Sequence, residues 1–263
     1  MSKARVSVIV PAYNEEKTVA DVISVLQKST LIDEVICIND GSSDNTREIL
    51  KQFEKNIVII DLKKNQGKGN ALAQGIKKAK GDIVVFLDAD LISLSDKHIQ
   101  LLIEPLLKHT HKATMGYMVG KLNFSFFTEI TGQRAYFRKD LLPHLEEISK
   151  TRFGVEIFLN KLFSQKETKK VVLPDLTSLF KYEKQTPETA LKEYIREGVE
   201  IAKAIGNMEI LPDSDFKILS EILNITNMKE IQIKINNITN AKTREILNKY
   251  FLKYLRTSRR NNN

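Results

Sequence analysis

Asp88 and Asp90, two carboxylates separated by one alanine, are the residues best suited to chemistry in this chain. Both follow segment 82–87, which is apolar after its first residue, Asp82, and predicts that a buried strand ends just before them. Carboxylate oxygens suit hard divalent cations such as Mg²⁺ and Mn²⁺, and these cations readily take phosphate oxygens as further ligands. An Asp-x-Asp tripeptide is common by chance, so its position at a strand end is what indicates a metal that holds a diphosphate.

Further polar residues follow two other predicted strands. Segment 11–16 comes after the first strand, and Asn39 and Asp40 come after the second. Carboxylates gathered at one edge of the sheet repel each other, so this edge requires a cation or hydrogen-bond donors. The alternative is that these strand ends are polar for solubility alone. Lys68, in the glycine-containing loop 65–70, could bring a positive charge there; the alternative is a solvated loop lysine.

A repeated strand–helix pattern must position these residues. Short β-branched runs predict strands at 6–10, 35–38, 57–60 and 82–87, with amphipathic helices between them. This alternation is typical of an α/β fold, a mostly parallel sheet with helices on both faces. Ligands of such sheets bind outside the carboxyl ends of the strands. The chain has no Gly-x-x-x-x-Gly-Lys-Ser/Thr segment, which excludes a P-loop, and its acidic first loop disfavours a dinucleotide-binding turn.

Four motifs, taken in order, resemble those of family 2 glycosyltransferases, which have the GT-A fold. The motifs are residues 8–16, 39–44, 65–72 and 88–90. The resemblance covers about residues 5–160, and four motifs in order are far more specific than any single one. It implies an enzyme that uses a UDP- or GDP-sugar together with Mg²⁺ or Mn²⁺, and inversion at the transferred sugar; related folds also carry out retaining reactions.

The resemblance also implies roles for single residues of the donor site. The side chains expected to line the nucleotide are Pro11, Tyr13 and Glu15. Asp40 is expected to accept a hydrogen bond from the base, since a carboxylate is a strong acceptor for an imide N–H. Asp88 is expected to approach the ribose or a metal-bound water, Asp90 to bind the metal, and both are candidate metal ligands. Lys68 is the second candidate cation for the diphosphate.

Arg134 and Arg138 are the candidate acceptor residues, because on a helix two positions four apart share one face and paired guanidiniums suit a phosphate. Two exposed arginines on an ordinary helix are the alternative. Segment 132–138 resembles that of dolichol- and polyprenyl-phosphate sugar transferases, and 153–156 resembles another motif of that subgroup. Glu156 could be a general base, a residue near the metal or a partner of an arginine; only a hydroxyl acceptor needs a base.

Composition and the C-terminal part set the wider expectations. With 42% hydrophobic and 28% charged residues the chain is ordinary for a globular protein, and no apolar run is long enough to span a bilayer. The start of the chain leaves no room for a signal peptide, and a single cysteine, Cys37, favours a reduced cytosolic location. We expect a catalytic domain at 1–165 and a mainly helical basic extension at 166–263, in which alternating isoleucines at 231, 233 and 235 predict a short strand.

The tail 249–263 carries five basic residues and no acidic ones among aromatic and leucine side chains. This pattern predicts a helix on a membrane surface, with a docking helix as the alternative; no nucleic-acid partner is expected. The leading hypothesis is transfer of a hexose to polyprenyl phosphate, or another phosphate-bearing acceptor, by a cytoplasmic protein bound peripherally to the inner face of the membrane. Transfer to a soluble or glycan hydroxyl is the second hypothesis, and a non-catalytic nucleotide-sugar-binding protein is the third.

Overall fold

The computed structural model describes residues 4–118, 130–179, 193, 196–200, 212–222, 228–245 and 247–248. The chain divides into two compact units, Met1–Leu179 and Phe180–Asn263. The first unit extends beyond the expected boundary at residue 165, because the strand Thr168–Leu173 pairs with the sheet of that unit. Each unit is described by itself below.

The first unit alternates strands and helices from its start. Its strands are β1 Val6–Ala12, β2 Glu34–Asn39, β3 Val58–Asp61, β4 Ile83–Phe86, β5 Leu91–Ile92, β6 Ala113–Met118, β7 Arg134–Phe137, β8 Thr168–Leu173 and β9 Thr177–Ser178. Its α-helices are α1 Val19–Lys28, α2 Thr46–Lys51, α3 Lys68–Lys78, α4 Asp96–Leu107, α5 Arg138–Leu141, α6 Leu145–Lys150 and α7 Val155–Leu162. Short 3₁₀ turns lie at Leu142–His144 and Arg152–Gly154.

Seven strands form one sheet in the order β3-β2-β1-β4-β7-β6-β8. The four strands predicted from the sequence, β1 to β4, are parallel neighbours. Strand β7 is antiparallel to both β4 and β6, and β8 returns parallel to β6. The prediction of a mostly parallel α/β sheet flanked by helices is therefore confirmed, and the carboxyl ends of β1, β2 and β4 lie side by side.

Alternate side chains of the central strands enter two separate hydrophobic layers, as the pleat of a strand requires. Val8 and Val10 pack in one layer with residues of α1 and α4, whereas Ile9 packs in the other with residues of α3 and α7. Gly75 of α3 lies against Ile9, and a Cβ at this position would overlap the Ile9 side chain. This close approach packs α3 directly against β1.

The second unit contains helices α8 Asp213–Ile222 and α9 Met228–Asn236 and a small core of its own. The prediction of a strand at 231–235 is wrong. Ile231 and Ile235 are buried, whereas Ile233 is 60% exposed. Alternation of three isoleucines also places the first and third four residues apart, on one face of a helix. The basic tail 249–263 lies outside the described residues, among which no helix is long and apolar enough to cross a membrane.

Candidate active site

The loops after β1 and β2 are joined by hydrogen bonds. The backbone N–H of Asn14 donates to Ser42 Oγ at 3.0 Å, and that of Glu15 donates to Thr46 Oγ1 at 2.8 Å. Glu16 accepts from the backbone and side chain of Asn45 at 3.0 and 2.9 Å, so this carboxylate organises the loops. The two loops therefore form one surface beside the end of the sheet.

The three residues expected to line the nucleotide belong to this surface or to the strand that leads to it. Pro11 lies in β1, where it pairs in register with Ile38, and is half-buried. Tyr13 and Glu15 are half-buried in the following loop. The Glu15 carboxylate accepts a hydrogen bond from the Thr18 hydroxyl at 3.2 Å. Their contact with a nucleotide stays a prediction.

Asp40 is 3% exposed and holds the loop that precedes α3. Its two carboxylate oxygens accept the backbone N–H groups of Gln66 and Gly67, each at 2.8 Å. Burial raises the pKa of Asp40, and the two N–H donors and the positive charge of Arg152 offset part of that rise. Each oxygen keeps a further lone pair. The structure thus gives Asp40 a loop-holding contact that sequence reasoning missed, and its contact with a base stays a prediction.

Lys68, the first residue of α3, joins two acidic residues. Its Nζ lies 2.7 Å from Asp88 Oδ1 and 2.8 Å from Glu156 Oε1. The side chains of Lys68 and Glu156 are 19% and 8% exposed, so Lys68 is not the solvated loop lysine of the alternative interpretation. Burial lowers the pKa of Lys68, but the two carboxylates outweigh burial and raise it overall. The partner of Glu156 is this lysine rather than an arginine.

The other oxygen of Asp88 contacts a segment that sequence reasoning missed. Gln133 Nε2 donates to Asp88 Oδ2 at 2.8 Å, and Gln133 is 1% exposed. Gly132 lies so close to the Asp88 carboxylate that a Cβ there would overlap it. Gly132 and Gln133 directly precede Arg134, but no local sequence pattern indicates that Gln133 has a partner 45 positions away.

Arg134 and Arg138 do not share a helical face, and that prediction is wrong. Arg134 lies in β7, is 2% exposed, and donates to Thr131 O and Asn160 Oδ1, each at 2.7 Å. Arg138 begins α5 and donates to the carbonyl oxygens of Ile76 and Lys77 in the last turn of α3. The strand continues through Phe137 because its alternating side chains pack in the sheet. Both guanidiniums therefore have structural partners.

Arg152 is another residue that sequence reasoning missed. Its φ of +45° is unusual for a residue with a side chain, and its backbone and side chain lie against Gly67, itself at φ +93°. Arg152 Nη2 donates to Asn65 Oδ1 at 3.4 Å. The turn after α6 thus supports the loop that Asp40 holds. Nothing in the local sequence around Arg152 predicts the left-handed backbone.

Asp88 and Asp90 fit a divalent cation that is shared with a substrate. Both are half-buried in the turn between β4 and β5. In the described part of the chain no group of three or more His, Cys, Asp or Glu side chains could enclose a metal ion. Mg²⁺ typically takes one or two carboxylates and completes its shell with water and substrate phosphates. Asp88 and Asp90 therefore both stay candidate ligands for such a cation.

A family model described as glycosyl transferase family 2 matches residues 7–170, more than half of the chain. The chain belongs to glycosyl transferase family 2. Membership confirms the enzyme class predicted from the sequence, a glycosyltransferase, and the sheet confirms the GT-A-like architecture of this family 2 chain. The narrower resemblance to the dolichol- and polyprenyl-phosphate subgroup stays a prediction.

Curated relatives match a part of the family 2 chain. The poly-beta-1,6-N-acetyl-D-glucosamine synthase of Staphylococcus epidermidis is 48% identical over 90 residues, and that of Staphylococcus aureus (strain COL) is 46% identical over 90 residues. Each match covers 33% of this chain and 22% of the relative. The matching part of the chain thus corresponds to about a fifth of the length of these synthases.

Solved structures of glucosyl-3-phosphoglycerate synthase from Mycobacterium tuberculosis have a similar fold. The complex with Mn²⁺, UDP and phosphoglyceric acid gives a TM-score of 0.62 at 22% identity, over 80% of this chain and 80% of that chain. A complex with Mn²⁺, UDP-glucose and phosphoglyceric acid gives 0.58 at 21% identity, over 77% and 80%. At such identity the likeness shows the fold alone.

Proposed function

We propose that this family 2 chain transfers a hexose from a UDP- or GDP-sugar to a phosphate-bearing acceptor with the help of Mg²⁺ or Mn²⁺. The observation that carries the proposal is the Asp88 carboxylate, held between Lys68 and Gln133 at the end of β4, with Asp90 beside it. In support, the synthase with the similar fold was crystallised with Mn²⁺ and UDP-glucose. UDP-glucose is therefore the first donor to test.

The residues of the chain divide the work of binding and charge control. Asp40 and the loop it holds bind the base, and Asp88 binds the ribose or a water at the cation. Lys68 places an ammonium group beside the leaving diphosphate, where fixed positive charge stabilises the transition state. A cation bound by Asp90 would supply Lewis-acid stabilisation of the same leaving group.

For the acceptor, the specific proposal is polyprenyl phosphate at the cytoplasmic face of the membrane, with the basic tail 249–263 as a peripheral contact. A phosphate is already ionised, so it requires orientation and charge screening but no base. The structural neighbour bound to phosphoglyceric acid supports a phosphate-bearing acceptor in general. Arg134 and Arg138 no longer support it, because their guanidiniums contact the protein.

Transfer to a hydroxyl group is the second candidate function, with Glu156 as the base. The relatives named poly-beta-1,6-N-acetyl-D-glucosamine synthase support it, since a polymer of that sugar grows on hydroxyl groups. The Glu156→Gln variant separates the two candidates. It should cripple transfer to a hydroxyl acceptor and spare transfer to a phosphate, because only a hydroxyl must lose a proton as it attacks.

The decisive assay is a panel of UDP- and GDP-sugars with Mn²⁺ or Mg²⁺, each tested with and without a polyprenyl phosphate and with phosphoglyceric acid. Asp90→Ala should lower kcat/KM by roughly 100-fold or more, the typical loss for a group that stabilises developing charge. Asp96→Ala is the matched control, because Asp96 is exposed in the first turn of α4. Undiminished turnover by Asp90→Ala would contradict the metal role. Nucleotide-sugar binding with no transfer in any arm would favour the non-catalytic alternative.

The membrane proposal has its own test. The full chain should sediment with vesicles that contain anionic lipid, and a variant lacking 249–263 should not, because clustered basic residues are attracted to such surfaces. Neutral vesicles are the control. If the shortened chain sediments to the same extent as the full chain, the tail is not the membrane contact.

A further inference from the structure

Gln133 contacts Asp88 from a position just before β7, outside every motif that pointed to the donor site. We propose that Gln133 is a positioning residue of the transfer reaction, which sets the Asp88 carboxylate without touching the donor. The proposal rests on the proposed function, in which Asp88 faces the donor. It concerns one hydrogen bond, from Gln133 Nε2 to Asp88 Oδ2 at 2.8 Å.

The neighbours of Gln133 determine how its amide is oriented. An ionised carboxylate only accepts hydrogen bonds, so the amide nitrogen must face Asp88 and the amide oxygen must face Thr131. Thr131 Oγ1 lies 2.6 Å from that amide oxygen and 2.7 Å from the carbonyl oxygen of Gly116. Both neighbours are acceptors, so the hydroxyl hydrogen of Thr131 points at one or the other. Thr131 and Gln133 are both buried, which keeps water from replacing either partner.

The two oxygens of Asp88 are thus held from two distant elements. Lys68, the first residue of α3, holds Oδ1 at 2.7 Å, and Gln133 holds Oδ2 at 2.8 Å. Rotation of the carboxylate about its Cβ–Cγ bond would break both contacts. Gly132 leaves no room for the carboxylate to move toward β7. The Asp88 carboxylate is therefore held in a fixed orientation, which is the condition for a preorganised site.

The hydroxyl of Thr131 and the amide of Gln133 can be tested separately. Gln133→Met keeps the length of the side chain and removes the donor, and it should lower kcat/KM for the sugar donor about 10- to 100-fold, the usual loss when an outer partner of a functional residue is removed. Thr131→Val removes the hydroxyl and should lower kcat/KM about tenfold. Thr131→Ser restores the hydroxyl and should stay within about twofold of the parent chain. The KM of the acceptor should not change.

A spectroscopic measurement gives a result that does not depend on turnover. The side-chain amide signals of Gln133, assigned by their loss in Gln133→Met, should exchange slowly with water in the parent chain and in Thr131→Ser, and faster in Thr131→Val. If Gln133→Met does not fold, the kcat/KM values of Thr131→Val and Thr131→Ser test the proposal instead. A Thr131→Ser chain as impaired as Thr131→Val, or a folded Gln133→Met chain within twofold of the parent, would overturn the proposal. A parent chain without transferase activity, with the exchange pattern intact, would instead count against the proposed function.

Discussion

Replacing Lys68 by methionine should lower the free energy of unfolding by about 3 kcal/mol. Removal of one partner from a buried ion pair typically costs about 3–5 kcal/mol, because the other charge stays buried without compensation. Two carboxylates lose their cation here, Glu156 with 8% of its side chain exposed and Asp88 with 30%. Water can reach Asp88, so most of the cost comes from Glu156, which places the expected loss at the lower end of the range.

The assay is urea unfolding followed by circular dichroism, with three further variants. Glu156→Gln alone should cost less than Lys68→Met, since Lys68 keeps Asp88 as a partner. The double variant Lys68→Met/Glu156→Gln should be about 1–2 kcal/mol more stable than Lys68→Met alone, because it no longer buries the unpaired negative charge of Glu156. Lys150→Met is the control, since Lys150 pairs with Glu146 on the surface and should show no measurable change. A loss under about 1 kcal/mol for Lys68→Met, or strict additivity of the two single variants, would refute the argument.

The raised pKa of Lys68 adds a dependence on pH. Above its ordinary value of 10.5 the unfolded chain releases this proton while the folded chain keeps it. The stabilisation from this group is therefore complete below pH 10.5 and declines as the pH rises further. The parent chain should lose stability between pH 10 and 11.5 more steeply than Lys68→Met, as measured by urea unfolding at each pH. Parallel curves for the two chains would contradict the direction of the shift.

Three further results are expected. Gly132→Ala should lower kcat/KM for the donor at least tenfold in a folded chain, because its Cβ overlaps the Asp88 carboxylate, and steady-state kinetics would show it. Arg138→Ala should leave kcat/KM within twofold and lower the free energy of unfolding in urea by about 1 kcal/mol, since Arg138 caps α3. A large loss of kcat/KM would instead indicate that Arg138 contacts the acceptor. Asp215 accepts backbone N–H groups of Thr239 and Asn240, which outweigh burial and lower its pKa. Stability from Asp215 is thus present above pH 3.8 and lost at lower pH, and Asp215→Asn should flatten the acid limb of the unfolding curve.

The parts of the fold that could be predicted are those encoded within one or two elements. Strands β1 to β4 are nearly continuous runs of apolar residues, and their parallel pairing follows from the strand–helix alternation. The carboxylates of Asp40 and Asp88 could be located because each follows such a run. The strand predicted at 231–235 is wrong because positions four apart, such as Ile231 and Ile235, share a face in a helix as well as in a strand.

Arg134 shows why the acceptor half was harder to predict. A spacing of four residues has meaning on a helix only, and the segment around Arg134 forms a strand whose partners are β4 and β6. The stretch from Ala135 to Phe137 is short and apolar, so periodicity does not decide between the two states. Only the tertiary structure reveals that the guanidinium of Arg134 has Thr131 and Asn160 as partners.

The most specific geometry of the site comes from residues far apart in the sequence. Lys68 and Gln133 lie 20 and 45 positions from Asp88, and each holds a different oxygen of its carboxylate. A motif read along the chain can indicate that a carboxylate is present, but it cannot indicate how that carboxylate is oriented. Orientation decides whether the Asp88 carboxylate faces a ligand or the protein. A family 2 chain that kept Asp88 and Asp90 but lost the donor at position 133 should therefore retain the motif and lose much of its activity.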